Sequence, residues 1–551
     1  MPFTRYLLPV LAGIWLAAPC VAHPTFNSNS VVNAASFIPI ELPGGNIARG
    51  SIFTIFGDQM GPPEGVLVSG FPLQRELGRV SVTVRQGNRI VDAIPLFANN
   101  DQVNAVMPSD APLGEVAISI TFPGTGGTSF TPALVRVVPA SFGIFTISST
   151  GSGPAVIQNF VSEGNTPLNS TRESARPGQF VTVWGTGLGA LKVPDTEMPP
   201  VENLAAVQVL VGNRPSPHIL YNGRSPCCAG VDQITFQVPP DAPLGCYVPV
   251  VVQTASGVTS NVATMSIASE GGLCEDAANP FTGVAAGGGP RLGRVLLTRN
   301  RLQIGASQVS VTDGAVAAFE SVANPEWFFV PAVSMPAMGT CASFFSRGDS
   351  IPLANPAPLQ PIDAGVELIV RGPNGPRSIP RTNPGFYVSL LANTQQLPLY
   401  LDPGPYTLES SGGTAVGPIA ASFDFPAPVQ WTNQGDISRI DRKQGIFLTW
   451  SGGDPQRQFV RILGVSESSP TPANKVSGAF VCSVPLEQGN FMVPPAVLVN
   501  LPASVSSGSI STGLLLIGTS PKIDAANVEG NGLDFGFVTY QSMSGKQVLY
   551  P

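Results

Sequence analysis

Apolar and polar residues alternate at period two along much of this chain. Val80, Val82 and Val84, then Val116, Ile118, Ile120 and Phe122, then Val207, Val209 and Val211, then Ile234, Phe236 and Val238 each read as a strand with one buried face. The same period returns at Val366, Leu368 and Val370, along Leu399 to Leu408 through the turn Asp402-Pro403-Gly404-Pro405, over Ala420 to Phe425, and at Ile446, Leu448 and Trp450. Glycine and proline interrupt these runs, so the strands are short and bounded by turns. Such spacing predicts an all-β chain of tandem immunoglobulin-like β-sandwich domains with very little helix.

The first half is a duplication. Arg49-Gly50-Ser51-Ile52-Phe53-Thr54-Ile55-Phe56-Gly57 corresponds to Arg176-Pro177-Gly178-Gln179-Phe180-Val181-Thr182-Val183-Trp184-Gly185, Gly50 and Gly178 lying 128 residues apart. Asp101-Gln102-Val103-Asn104-Ala105-Val106-Met107-Pro108 corresponds to Asp232-Gln233-Ile234-Thr235-Phe236-Gln237-Val238-Pro239, and Asp110-Ala111-Pro112-Leu113-Gly114 to Asp241-Ala242-Pro243-Leu244-Gly245, both at an offset of 131. In Ala-Pro-Leu-Gly the proline presets φ and the glycine accepts positive φ, so the motif predicts the corner before a strand. Asp101 and Asp232, at equivalent positions, are expected to share a structural task, capping a turn ahead of the next strand. The resulting organisation is a leader at 1–22, sandwich repeats at 31–145 and 146–270, a glycine-rich linker at 271–290, and β-rich modules at 291–428 and 429–551. A Cys341 to Cys482 bridge would cross the last boundary and make those two modules one composite domain.

Several of these blocks, namely Asn33-Ala34-Ala35-Ser36-Phe37, the Gly50 to Gly57 strand, Gln102-Val103-Asn104 before Pro108, Phe142-Gly143-Ile144-Phe145 and Gly185-Thr186-Gly187-Leu188-Gly189, occur in one order. In this the chain resembles a family of exported acidobacterial (Solibacter-type) proteins with an uncharacterised tandem sandwich region. Its halves are similar to IPT/TIG immunoglobulin-like domains, and the likeness covers about residues 31 to 268. Thr235 departs from it, standing where the second copy would repeat the asparagine of the first. The resemblance implies fold and export and brings no activity with it.

Composition narrows the partners. Charged residues are 11% of the 551, against about 25% in ordinary soluble domains, and the net charge is −7 with no basic run, which argues against nucleic acid. Residues 1–22 combine Arg5, an apolar run from Tyr6 to Ala18 and small residues up to Ala22, the layout of a secretory signal cleaved after Ala22. That run is too short for a transmembrane span, and no later stretch is long and apolar enough. A secreted or cell-envelope location is therefore expected. Without Cys20 there remain Cys227, Cys228, Cys246, Cys274, Cys341 and Cys482, an even set that fits up to three disulfides in an oxidising compartment. Two bridges among the first four and one from Cys341 to Cys482 form the natural partition, although six cysteines allow 15 pairings.

Catalytic candidates are sparse. The two histidines are His23 and His218, no G-x-S-x-G is present, and the thiols near His218 are better explained as bridged. Arg347-Gly348-Asp349-Ser350 matches the integrin-recognition tetrapeptide and also the start of a hydrolase block, and a polar turn explains it as well. No cofactor is expected. Calcium is the metal that the acidic loops Asp436 to Asp441 and Asp524 to Asp534 would suit, though neither has EF-hand spacing. Trp327 and Trp431 are the candidate glycan-stacking platform, with core packing the competing explanation, while Trp184 and Trp450 in alternating strands are expected to fill cores. The expectation is a non-catalytic exported protein for cell-surface or extracellular binding, adhesion or scaffolding, its partner an extracellular polymer or surface protein. The alternative is a carbohydrate-binding accessory protein or an Asp/Glu-dependent glycan-active enzyme.

Overall fold

The computed structural model describes residues 23–551 except 124–126, 130, 277, 280–288, 306–307, 332, 349–358, 396–397, 470, 472–474, 508–509 and 523–527. The expected leader, part of the glycine-rich linker, and Asp349 and Ser350 of the Arg-Gly-Asp-Ser string lie outside the described residues. Strands dominate, and among the described residues the one α-helix is a single turn, Pro495–Leu498.

The period-two runs become two sandwiches. In the first, one sheet has the order Val31–Asn33, Ile52–Phe56, Gln102–Val106, Ile94–Ala98, Val66–Leu67. The facing sheet runs Ile47–Ala48, Ala133–Val138, Gly114–Phe122, Val80–Gln86, Glu76–Leu77. Val82, Val84, Ile118, Ile120, Phe53 and Val103 meet between them, each fully buried. Burying these apolar faces drives the two layers together. The second copy repeats the design with Phe180–Thr186, Asp232–Gln237 and Ile219–Arg224 opposite Ala263–Ile267, Gly245–Thr254 and Val207–Val211. Each copy also places a short early strand parallel to its last one: Ile47–Ala48 beside Ala133–Val138, and Gly153–Pro154 beside Ala263–Ile267. Gly114, at φ +98°, opens the Gly114–Phe122 strand directly after Ala-Pro-Leu, as the motif requires.

Residues 291–551 share one long sheet around two cores. The C-terminal strand Phe535–Val548 pairs in parallel with Arg291–Ile304, from Leu292 opposite Phe535 to Gln303 opposite Lys546. One core gathers Val295, Phe319, Leu368, Tyr387, Leu408 and Val538; the other gathers Leu448, Trp450, Ile462, Phe480, Leu515 and Tyr550. The Thr340–Arg347 strand leaves the first segment and pairs with Val476–Pro485 beside the second core, with Cys341 directly opposite Cys482. Val366, expected in a strand interior, is 67% exposed ahead of the Glu367–Gly372 strand, whereas Leu368 and Val370 are buried.

Candidate functional site

A buried ion pair inside the second sandwich holds the arginine that reaches across to the first. Arg224, closing the Ile219–Arg224 strand, puts Nε 2.9 Å from Oδ1 of Asp232, and both side chains are at most 1% exposed. Oδ2 of Asp232 accepts the backbone N–H groups of Gly187 and Leu188, each at 2.7 Å. The guanidinium also donates to the carbonyl of Gly189 at 3.0 Å and crosses to the first sandwich, donating to the carbonyl of Gly50. Burial pushes the Asp232 carboxyl up from its ordinary pKa, with Arg224 and the two amides opposing it. Thr186 completes the joint: its hydroxyl donates to Gly230 O at 2.6 Å and accepts Ile52 N–H at 2.8 Å. Asn33 adds a further tie, its Nδ2 donating to the carbonyls of Ser141 and Thr186. The Gly-Thr-Gly-Leu-Gly and Asn-Ala-Ala-Ser-Phe blocks thus contribute to the interdomain joint. Asp101, by contrast, is exposed, and its backbone N–H donates to Asn99 Oδ1. The shared task expected for Asp101 and Asp232 is therefore corrected, because only the second copy has an arginine at the joint to neutralise a buried carboxylate.

Beside this joint lies a cleft of about 310 Å³. Its floor is the outer face of the Ile52–Phe56, Gln102–Val106 and Ile94–Ala98 strands, where Thr54, Asn104 and Phe97 stand side by side in register. Period two explains the selection: Phe53, Ile55, Val103 and Ala105 point into the sandwich core, which turns their neighbours outward. Phe37 and the Phe145 to Ser149 segment form walls. Phe37 takes φ +54° and Ser149 φ +54°, left-handed conformations that cost a non-glycine residue about 1–3 kcal/mol and collect at functional sites. Phe37 stacks on Phe56 with centroids 6.4 Å apart, and Phe56 is 40% exposed. Gln102 Nε2 donates to Asn104 Oδ1 at 2.8 Å. That leaves the Asn104 NH₂, the Gln102 side-chain oxygen and the Thr54 hydroxyl without partners among the described residues. Among the described residues no charged side chain lines the cleft.

In the second copy the corresponding row is self-satisfied. Thr182 and Thr235 share a hydroxyl hydrogen bond of 2.9 Å, and Trp184 Nε1 donates to Gln158 Oε1 at 2.9 Å. The asparagine-to-threonine departure at Thr235 thus changes an outward amide into a hydroxyl that pairs across its own sheet. Trp184 is only half-buried on that outer face, which corrects its expected place in the core: Val181 and Val183 take the inward positions.

The cysteines pair as Cys227–Cys228, Cys246–Cys274 and Cys341–Cys482. The first bridge joins adjacent residues in the loop whose Ala229 and Val231, like Phe145, pack against the cluster of Ile52, Leu73, Ile94 and Val106 next to the cleft. Trp431 is 7% exposed and packs with Trp450 in the last core, its Nε1 bonded to Asn433 Oδ1. It presents no face to a ligand, so the platform expected there is corrected to core packing. Trp327 is half-buried, and its Nε1 donates to Asn169 O of the second sandwich at 3.2 Å. The two tryptophans do not converge on one surface patch, and neither lines the cleft. Sequence reasoning missed Phe37, Phe97, Asn104 and Phe145 as contact residues. The available signal was the outward set Thr54, Phe56, Gln102 and Asn104 in strands whose alternate positions are apolar.

His218 is exposed in a loop, and Arg347 holds Glu41 in a bidentate ion pair at 2.6 and 2.9 Å. Among the described residues no three Asp, Glu, His or Cys side chains cluster as a metal-binding group. No helix among them is long and apolar enough to cross a membrane.

No family model matches the chain, and no curated protein does. Among solved structures it is similar to a tetra-tandem repeat from the extending region of a large adhesion protein, at 11% identity over 94% of this chain and 97% of that one, with a TM-score of 0.13. It is also similar to a Bacteroides ovatus protein, SGBP-B of a mixed-linkage glucan utilization locus, solved with a heptasaccharide, at 10% identity over 63% of this chain and 65% of that one, TM-score 0.19. A third is the BSP domain of a biofilm-associated protein, at 9% identity over 96% of both chains, TM-score 0.11. At such scores none of these likenesses bears on function.

Proposed function

We propose that this chain is an exported, non-catalytic binding protein of the extracellular surface, and that the cleft between its first two sandwiches holds a short stretch of an uncharged glycan. One observation carries the reading: an uncharged cleft sets the Phe37, Phe97 and Phe145 rings beside unpartnered hydroxyl and amide groups. A sugar ring has an apolar C–H face that packs on aromatic rings and a rim of hydroxyls that donate and accept, so it matches both parts. Its volume falls at the lower end of the range for ligand sites, enough for one or two sugar rings. No carboxylate is among the described lining residues, which supports a reading of recognition over glycoside hydrolysis, whose usual catalysts are two carboxylates. The three disulfides support export, since such bridges persist in oxidising compartments.

The test is calorimetric titration of the oxidised chain with neutral and acidic oligosaccharides, alongside Phe37→Ala, Asn104→Thr and Trp327→Ala. Neutral glycans should bind, the first two variants should weaken binding at least tenfold, and Trp327→Ala should leave it unchanged. Absence of binding to every neutral glycan, or binding indifferent to both cleft variants, would overturn the proposal.

A further inference from the structure

A second site lies far from the cleft, on the face of the long sheet that looks toward the second sandwich. Along the Gln458–Glu467 strand, Val460 and Ile462 enter the last core, which turns Phe459 and Arg461 to the opposite face. Arg461 is 4% exposed, and no carboxylate pairs with it among the described residues. Its Nε has no hydrogen-bond partner, and the same holds for the buried hydroxyls of Ser483, directly opposite it in register, and Ser520 on the next strand. A lone guanidinium out of water is costly unless an anion meets it. Burial pushes the group down to about 10, and no charge among the described residues opposes the shift.

Arg461 opens into a small cavity that Ser520, Lys522 and Gln541 line on the polar side and Met335, Phe459 and Phe537 on the apolar side. No Asp or Glu is among its described lining residues. Its volume, about 40 Å³, corresponds to roughly three waters. That matches a carboxylate group with one attached carbon, and a planar carboxylate also suits the two-pronged fork of a guanidinium. We propose that this cavity is a binding site for a small carboxylate anion of acetate size, held by Arg461 with Lys522 and Ser520 beside it and its carbon against the Met335 and Phe537 side chains.

The experiment titrates acetate, at constant ionic strength with chloride, into the oxidised chain purified without carboxylate buffers. It follows the melting temperature and saturation transfer to the acetate methyl protons. Benzoate serves as an oversized carboxylate and acetamide as the uncharged isostere. Acetate should give saturation transfer and raise the melting temperature with millimolar affinity, the range open to a ligand of four heavy atoms, whereas benzoate and acetamide should do neither. Arg461→Met should abolish both signals and, without acetate, melt no lower than the parent chain, because an apolar side chain replaces an uncompensated charge. Asp524 lies outside the described residues, so Asp524→Asn tests for a counter-charge from the chain itself. An acetate response confined to Asp524→Asn would overturn the proposal. An unchanged response in Arg461→Met, or no response in the parent chain, would do the same.

Discussion

Replacing Asp232 by asparagine should loosen the joint between the first two sandwiches while leaving its shape intact. The two carboxylate oxygens have separate tasks: Oδ2 takes the amides of Gly187 and Leu188, and Oδ1 faces the Arg224 guanidinium. An asparagine can keep its oxygen on the amides, but it then turns an NH₂ toward a cation, so the variant isolates the charge from the hydrogen bonds. At contact distance and an effective dielectric near 20 the lost attraction is about 4–6 kcal/mol. Relief from desolvating the carboxylate offsets part of this, and breaking one side of a buried pair typically costs about 3–5 kcal/mol. Asp232→Leu should cost more, because it also strands two buried N–H groups at about 1–3 kcal/mol each. Arg224→Met combined with Asp232→Asn should recover at least about 1 kcal/mol of the summed single losses, since no lone charge remains. Denaturant unfolding, with hydrogen exchange resolved at the 186–189 peptide to assign the transition, measures the parent chain, Asp232→Asn, Asp232→Leu, Arg224→Met and the double variant. A cost below about 1 kcal/mol for Asp232→Asn, or strict additivity in the double variant, would show that water reaches the pair and that the buried-charge argument is wrong.

Three other perturbations probe separate parts of the molecule. Removing the Cys341–Cys482 bridge, which spans 141 residues, should lower the stability of the second half by about 2–5 kcal/mol, whereas opening Cys227–Cys228 should cost about 1 kcal/mol or less overall and speed hydrogen exchange locally at 229–231. Equal global effects in denaturant melts of the two variants would contradict this. Gly230→Ala should cost roughly 2–4 kcal/mol in the same assay, because its φ is +69° and the new Cβ would lie 2.5 Å from Ile52 Cγ1 across the joint. Asp363 accepts the amides of Thr414 and Gly365 and the Thr414 hydroxyl, with Arg381 alongside, and these hold its pKa down at about 2. A folded pKa below the unfolded one, about 3.9, means that its contribution is complete above the unfolded value and fades as pH falls toward 2. Protection of the Thr414 amide, taken relative to its intrinsic exchange rate at each pH, should therefore stay high at pH 5 and fall between pH 4 and 2, and Asp363→Asn should abolish that fall.

Much of the architecture follows from local pattern. Val80, Val82 and Val84 alternate because a sandwich strand has one dry face, and the Ala-Pro-Leu-Gly corners follow from the φ preferences of proline and glycine. The duplication and the cysteine inventory are likewise properties of the string of residues. Pairing over long separations is a different matter. Nothing local places Phe535–Val548 beside Arg291–Ile304, more than two hundred residues away, or carries Thr340–Arg347 across to the second core.

Functional geometry depended still more on tertiary contacts. Alternation shows that Thr54 and Asn104 share the outer face of their sheet, but it does not say whether that face meets water, a neighbouring domain or a ligand. The cleft exists because Phe145 to Ser149, entering the second sandwich, stand over that face. Trp431 illustrates the converse: a tryptophan beside turn residues suits an exposed platform or a core equally well, and only the packing of Trp450 and its neighbours places it inside. Arg461 shows the limit most plainly. A charged residue at an outward strand position ordinarily faces solvent, and it is the docking of the 278 and 333–335 segments over that face that buries it, with no carboxylate paired to it among the described residues. Periodicity settles which side chains share a face, because it follows from the backbone within a single strand; what covers that face is settled by chain segments hundreds of residues away, which no local pattern encodes.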